Sequence, residues 1–195
     1  MNRRLSLKQY RNLDLFFFAV MLCISETLIV NAAIRWYPDQ LYTVSVSAAI
    51  TAIVMMRWGG WAALHAALGG LVYAVSAGGG GAQLAVYAAG NLLGLTALLL
   101  IRFLGGERIR KDAALTAVFG VVTVLGMQAG RAILSLCLGY APEQALRFIT
   151  TDVVTLLFTV VLICLVRRLD GVFENQKHYL ARIAEEERRE RGGIR

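Results

Sequence analysis

Six apolar stretches, nearly all long enough to cross a bilayer, leave this chain few folds to choose from. They cover 13–34, 41–56, 61–77, 82–104, 113–138 and 148–166. A spanning helix takes about 20 apolar residues. In hydrocarbon every backbone N–H and C=O must be satisfied within the protein, so only helices and closed barrels cross a membrane. The stretches are continuously apolar rather than alternating, which selects helices. The separators are short and rich in interfacial or turn residues: Arg35-Trp36-Tyr37-Pro38-Asp39-Gln40, Arg57-Trp58-Gly59-Gly60, four glycines at 78–81, a polar loop at 105–112, and Gly139-Tyr140-Ala141-Pro142-Glu143-Gln144. Loops this short make neighbouring spans antiparallel. The expected fold is an all-α integral membrane bundle of six transmembrane helices (13–166). A basic N-terminal segment (1–12) precedes it and a charged tail (167–195) follows.

Composition agrees: 57% of the 195 residues are hydrophobic and 17% charged, against roughly a quarter charged in a soluble domain. The first stretch is too long for the apolar region of a cleavable signal and reads as a retained span. In the tail, Val172, Phe173, Gln176, Tyr179, Leu180 and Ile183 recur at helical spacing, so an amphipathic helix is expected to continue from span six.

The net charge of +7 comes from Lys and Arg placed at the ends of apolar runs. That is a topology signal rather than a nucleic-acid surface, since no basic stretch is interleaved with aromatics. Seventeen of the 20 Lys and Arg lie on the N-terminal segment, at Arg57, in the 102–111 region and on the tail. Arg35 and Arg147 lie on the opposite side and Arg131 within a span. Both termini are therefore expected to be cytoplasmic, in a bacterial plasma membrane. Cys23, Cys137 and Cys164 sit inside apolar runs without CxxC spacing or His neighbours and read as packing residues.

Polar side chains within spans usually face the bundle interior or a water-filled cavity. Gln83, Tyr87 and Asn91 share one helix face. Gln128, Arg131 and Ser135 make a second, and Thr151, Asp152, Thr155 and Thr159 a third. Thr27, Asn31 and Arg35 lie four apart on span one, beside Glu26. Most of these groups fall in the outer half of their spans, above featureless inner halves at 95–101, 113–122 and 156–166. A pocket open outward and sealed below has this signature. Ser and Thr in membrane helices also bond their own backbone, and Arg131 and Asp152 can pair across spans five and six as a structural lock. Alternatively, Arg131 offers a fork to a solute carboxylate or phosphate while Asp152 accepts from a donor. Arg35 can snorkel to the interface. A lone His65 reads as a packed interhelical hydrogen bond. Small-xxx-small spacings at Ala62, Ala66, Gly69 and Gly70 and at Gly90 and Gly94 mark close helix contacts.

No GK[ST], HExxH or GxSxG pattern is present, and no His/Cys cluster that would hold a metal. No enzyme and no cofactor is expected. With six spans and no visible two-fold repeat, an autonomous carrier is disfavoured, so a solute-capturing protein of this size needs an energy-supplying partner.

The stretches Arg11-Asn12-Leu13-Asp14-Leu15, Gln40-Leu41-Tyr42-Thr43-Val44-Ser45, Met56-Arg57-Trp58-Gly59 and Gln176-Lys177-His178-Tyr179-Leu180 give the chain a resemblance. It resembles the substrate-binding S components of energy-coupling factor (ECF) vitamin transporters. That resemblance implies six helices, capture of a vitamin-like solute near the outer surface, a transmembrane coupling subunit and two cytoplasmic ATPases. It also implies a docking face built on an Ala-xxx-Ala motif, matched here by Ala19 and Cys23. With the polar faces above, the candidate solute contacts are Arg131, Asn91, Gln128, Asp152, Arg35, Tyr87, Gln83 and Thr151, with Trp36 and Tyr37 as stacking surface. A different class of reading is a scaffold of a membrane assembly, like the MreD-type proteins of cell-wall elongation. Arg131 and Asp152 would then be a structural pair and the tail a docking element.

Overall fold

The computed structural model describes residues 6–39 and 44–192. Arg3 and Arg4, and residues 40–43 at the start of predicted span two, lie outside them. The described chain is helical, without strands. α1 (Leu7–Trp36) starts with a capping box: Ser6 Oγ accepts from Gln9 N at 3.3 Å and Gln9 Oε1 accepts from Ser6 N at 2.9 Å. α2 (Ser47–Trp58) and α3 (Ala62–Ser76) follow, joined by a 3₁₀ turn over Gly59–Trp61. Next come α4 (Gly81–Gly90), a 3₁₀ stretch (Asn91–Ala97), α5 (Leu98–Leu104) and a short α6 (Gly106–Lys111). α7 (Ala113–Cys137) is capped by Asp112, whose Oδ1 accepts from Ala114 N at 2.8 Å. α8 (Pro142–Thr150), α9 (Val153–Val166) and α10 (Gln176–Gly192) complete the order.

Among the described residues, four helices are long and apolar enough to cross a membrane: Leu7–Trp36, Gly81–Leu104, Ala113–Cys137 and Pro142–Val166. The other two apolar stretches fold into shorter helices. α2 has 12 residues, all buried, which at about 1.5 Å per residue gives roughly 18 Å. α3 has 15 residues. α2 thus lies inside the bundle, shorter than the roughly 30 Å of a hydrocarbon core. Two of the long helices are interrupted where polar residues stand. The fourth stretch narrows to 3₁₀ geometry from Asn91, and the sixth breaks at Thr151–Asp152 between α8 and α9.

Lipid is as apolar as leucine, so helices associate through close packing rather than hydrophobic burial alone. Glycines supply this where α4 and its 3₁₀ extension cross α7. A Cβ on Gly90 would come 2.7 Å from Arg131 Cα, one on Gly94 2.7 Å from Met127 Cγ and one on Gly126 2.7 Å from the Leu93 carbonyl, while one on Gly130 would overlap the Gly90 carbonyl. The Gly90/Gly94 pair therefore faces a matching Gly126/Gly130 pair. Gly69 and Gly70 do the same for α3, against Ser47 and the Tyr87 backbone. The main apolar core lies below this crossing and joins Leu15, Ile53, Met55, Ile109, Phe119, Ile163 and Phe173.

The tail departs from a helix continuous with the sixth span. Turns occupy 167–175, and α10 begins only at Gln176. Gly171 adopts φ +70°, left-handed backbone that favours glycine. Its carbonyl accepts from Arg57 Nη1 and Gln176 Nε2, both at 2.6 Å. Phe173 is consequently driven into the core, edge-on to Phe119 at 6.2 Å between centroids.

Candidate functional site

The interrupted helices meet at one place. α9 starts just after Asp152 and α2 starts at Ser47, and both of these residues line a small chamber beside the α4/α7 crossing. Ser47, Tyr73, Tyr87, Asn91, Arg131 and Asp152 supply its polar lining. Arg131 Nη2 donates to Asp152 Oδ2 at 2.6 Å, Arg131 Nε donates to the Met127 carbonyl at 3.3 Å, and the guanidinium lies over the Tyr87 ring at 5.2 Å. Tyr87 stacks on Tyr73 at 4.7 Å and meets Phe148 edge-on at 5.6 Å. Ser45 N donates to Thr155 Oγ1 at 3.1 Å, tying the strand-like lead into α2 to α9. Glu26 on α1 is fully buried, and its Oε2 accepts from Val46 N at 2.9 Å. The Glu26 side chain thereby satisfies a backbone donor at the start of α2.

Hydrogen bonding in the chamber is incomplete. Asn91 Nδ2 donates to the Ala66 carbonyl at 3.2 Å, whereas Asn91 Oδ1 and Ser47 Oγ are buried and find no partner among the described residues. Buried polar atoms without partners are uncommon and each costs about 1–3 kcal/mol. The free space is about 10 Å³, close to what one water molecule needs. The salt bridge and the paired tyrosines fill the rest.

Of the residues expected to contact a solute, Arg131, Asp152, Asn91 and Tyr87 come together around the chamber. Gln128 is buried on the same helix as Arg131 but does not line it, and Gln83 is half-buried beside Gly79. Thr151 bonds its own helix, donating to the Arg147 carbonyl at 2.6 Å. Arg35, Trp36 and Tyr37 are exposed at the end of α1, away from the chamber, with Trp36 at 75% and Tyr37 at 63%. A long cation and amphipathic rings are satisfied at an interface without entering the interior. Ala19 and Cys23 are half-buried on α1, where Phe16, Phe17, Val20, Met21 and Ile24 are exposed. His65 Nε2 lies 3.0 Å from the Leu15 carbonyl, an interhelical bond of the kind expected.

Sequence reasoning missed Ser47, Tyr73 and the contact of Glu26 with the start of α2, and also a second Arg–Asp pair. At the end bearing most of the basic residues, Arg57 grips Asp14 with Nε–Oδ2 at 2.8 Å and Nη2–Oδ1 at 2.7 Å. Arg57 Nη1 donates to the Gly171 and Val172 carbonyls, and Trp58 Nε1 donates to Asp14 Oδ2 at 2.6 Å. Gln176 joins through Gly171 and accepts from Tyr10 Oη at 3.3 Å. Three of the four stretches that carry the family resemblance therefore converge on one network. Most of the fourth, 40–43, lies outside the described residues. The available signal was Asp14 itself, a carboxylate inside an apolar run that requires a buried cation.

No family model, curated protein or solved structure matches this chain.

Proposed function

We propose that the protein is the membrane-embedded solute-capturing subunit of an ECF-type importer, with both termini cytoplasmic and six membrane-traversing segments. On this reading α2 is a short segment buried among four full-length spans, and α3 packs beside it with Leu64, Leu71 and Val75 exposed. One observation carries the proposal: in the chamber, Asn91 Oδ1 and Ser47 Oγ find no partner among the described residues and lie beside the Arg131–Asp152 pair. A solute bearing a carboxylate or phosphate and an N–H or O–H donor supplies what these groups lack. Its anion takes the fork of Arg131, and its donors go to Asp152 and Asn91. Tyr73 and Tyr87 give it an aromatic wall.

The chamber at about 10 Å³ is a closed state. Solute must displace Asp152 from Arg131 and part the Tyr73–Tyr87 stack, so that binding selects an opened arrangement. Closing over the solute is then driven by the same groups. The transmembrane coupling subunit would dock on the exposed apolar face of α1 around Ala19 and Cys23, and two ATPases would supply energy from the cytoplasm.

The test is a thermal-shift screen of the purified protein against vitamin-like acids and zwitterions, combined with mass spectrometry of any retained ligand. One compound should raise the midpoint, and Arg131→Ala should abolish the rise. A broad screen without any shift, or a shift that survives Arg131→Ala, removes the assignment.

A second reading is favoured by the tightness of the same pair. At 2.6 Å, with room for about one water, Arg131 and Asp152 also suit a structural lock in a non-transporting scaffold of the MreD type. Co-purification separates the two: ATPases and a coupling subunit support the importer, wall-synthesis enzymes the scaffold.

A further inference from the structure

A wide groove lies at the basic end, where three of the long apolar helices terminate or begin. It is open, holds about 830 Å³, and is bounded by the end of α5, by α6, by the start of α7 and by Arg167 after α9. Its charged groups are Arg108, Lys111 and Arg167 against Glu107 and Asp112. The acids are already engaged. Asp112 caps α7. Glu107 Oε1 accepts from Arg110 at 3.3 Å and Lys111 at 3.2 Å, and these cations, Lys111 foremost, hold its carboxyl below the usual range. Two cations are not matched in this way. Arg108 forms no ion pair among the described residues. Arg167 is pinned by donating from Nη1 to the Arg110 and Lys111 carbonyls, both at 3.1 Å, which leaves its buried Nε without an acceptor.

A fixed guanidinium with a spare buried donor, flanked by two further cations, is an anion site. Its position selects the anion. The helices leading into it carry large apolar side chains facing outward: Leu99 and Phe103 on α5 at 53% and 78% exposed, Leu165 on α9 at 59%. A phosphate held below a strip of exposed leucine and phenylalanine at the end of spanning helices matches a phospholipid with its acyl chains along the strip.

We propose that the groove between α5, α6 and Arg167 binds the phosphodiester headgroup of an anionic phospholipid. The phosphate is shared by Arg167 Nε, Arg108 and Lys111, and the chains lie against Phe103 and Leu165. Nothing in this depends on the solute chamber or on transport.

The experiment uses the full chain in neutral detergent and native mass spectrometry, titrating phosphatidylglycerol, phosphatidylcholine and, as the soluble source of the same chemistry, glycerol 3-phosphate. Phosphatidylglycerol should bind in preference to both. Arg108→Gln with Lys111→Gln should weaken it by about five-fold per charge removed. Glu107→Gln removes the acid that neutralises Lys111 and should tighten binding by a few-fold, a gain no purely structural role produces. Arg131→Ala should leave the lipid affinity unchanged. Equal binding of phosphatidylcholine, retention of the preference in the double variant, or weakening by Glu107→Gln would overturn the proposal. Glycerol 3-phosphate binding as tightly as the lipid would assign the groove to a soluble phosphate compound and end the lipid assignment.

Discussion

Two arginine–aspartate pairs are built in opposite ways. Arg57 and Asp14 form a two-pronged contact, and the remaining arginine nitrogen is spent on the Gly171 and Val172 carbonyls while Trp58 caps the carboxylate. Arg131 donates to Asp152 through Nη2, beside a buried amide and a buried hydroxyl. A buried pair repays its desolvation only when its geometry and surrounding hydrogen bonds are complete. The first pair meets that condition and ties α1, α2 and the tail into one base. Beside the second, Asn91 Oδ1 and Ser47 Oγ find no partner among the described residues and have capacity left. Saturation of the surrounding polar groups, rather than burial or charge, distinguishes the two pairs.

The largest effect should come from breaking the saturated pair. Arg57→Ala leaves the Asp14 carboxylate without its cation and the Val172 carbonyl without its donor, and is expected to destabilise by about 3–5 kcal/mol. For a chain of this size that corresponds to a fall of roughly 10 °C in melting temperature, measured by fluorescence-detected size exclusion of heated samples. Replacing both partners, Asp14→Leu with Arg57→Met, should not restore stability, because the Trp58 indole and the Val172 carbonyl stay unpaired at about 1–3 kcal/mol each. Recovery in this double variant would show that the network is no more saturated than the chamber pair.

The next effect tests what holds the chamber's walls together. Gly130→Ala puts a methyl group into the Gly90 carbonyl. The crossing of α4 and α7 must then widen, at a cost of about 1–3 kcal/mol, and Arg131 moves with it. The same melting assay reads the loss. An unchanged melting temperature would mean that the crossing is not close-packed.

How much of this could be read beforehand differs between the two regions for a physical reason. Arg131, Asp152, Asn91 and Tyr87 stand out in the sequence because polar groups in an apolar run must turn inward, and inward-turning groups on adjacent helices meet. The rule says nothing of amphipathic residues at the interface, so Arg35, Trp36 and Tyr37 looked like site residues and are exposed instead. Nor does it show where a helix breaks. The interruption at Thr151–Asp152 and the 3₁₀ stretch from Asn91 follow from the chamber's geometry, and they place Ser47 and Tyr73 beside residues far away in sequence. The Asp14–Arg57 contact spans 43 positions, and periodicity along one helix carries no information about it. The tail misled for a related reason: Val172 and Phe173 fit a helical stripe, but Gly171 supplies a turn that buries Phe173 where a continuous helix would leave it at the membrane surface.

A smaller effect on stability, with a large effect on binding, is expected from emptying the chamber of charge. Arg131→Met with Asp152→Leu removes the ion pair together with the contacts of Arg131 to the Met127 carbonyl and the Tyr87 ring. Replacing a buried ion pair by well-packed apolar side chains of similar volume is often neutral or stabilising. The melting temperature should therefore stay within a few degrees of the parent or rise, while any solute-induced shift disappears. A collapse comparable to that of Arg57→Ala would place Arg131 and Asp152 with the structural locks and favour the scaffold reading.

The smallest effect lies outside both pairs and supplies the exposed limit of the same comparison. Glu107 is paired with Lys111 and Arg110 on the surface of α6, and its carboxyl titrates below the usual range chiefly because of the Lys111 contact. A group whose folded pKa is depressed contributes stability above its unfolded value, and that contribution is lost as the pH falls through the folded value. Water and salt screen the pair, so the contribution stays under about 1 kcal/mol. Hydrogen exchange of the α6 amides, corrected for intrinsic rates, should accelerate slightly as the pH drops below the ordinary carboxylate range. Added salt should produce the same change at neutral pH, and Glu107→Gln should remove both dependences. The Arg57 base is desolvated and fully bonded, so the added salt should leave exchange there unchanged. If α2 and the 167–175 turns loosened with salt as readily as α6, the base would behave as an exposed ion pair, and saturation could no longer be what separates it from the chamber.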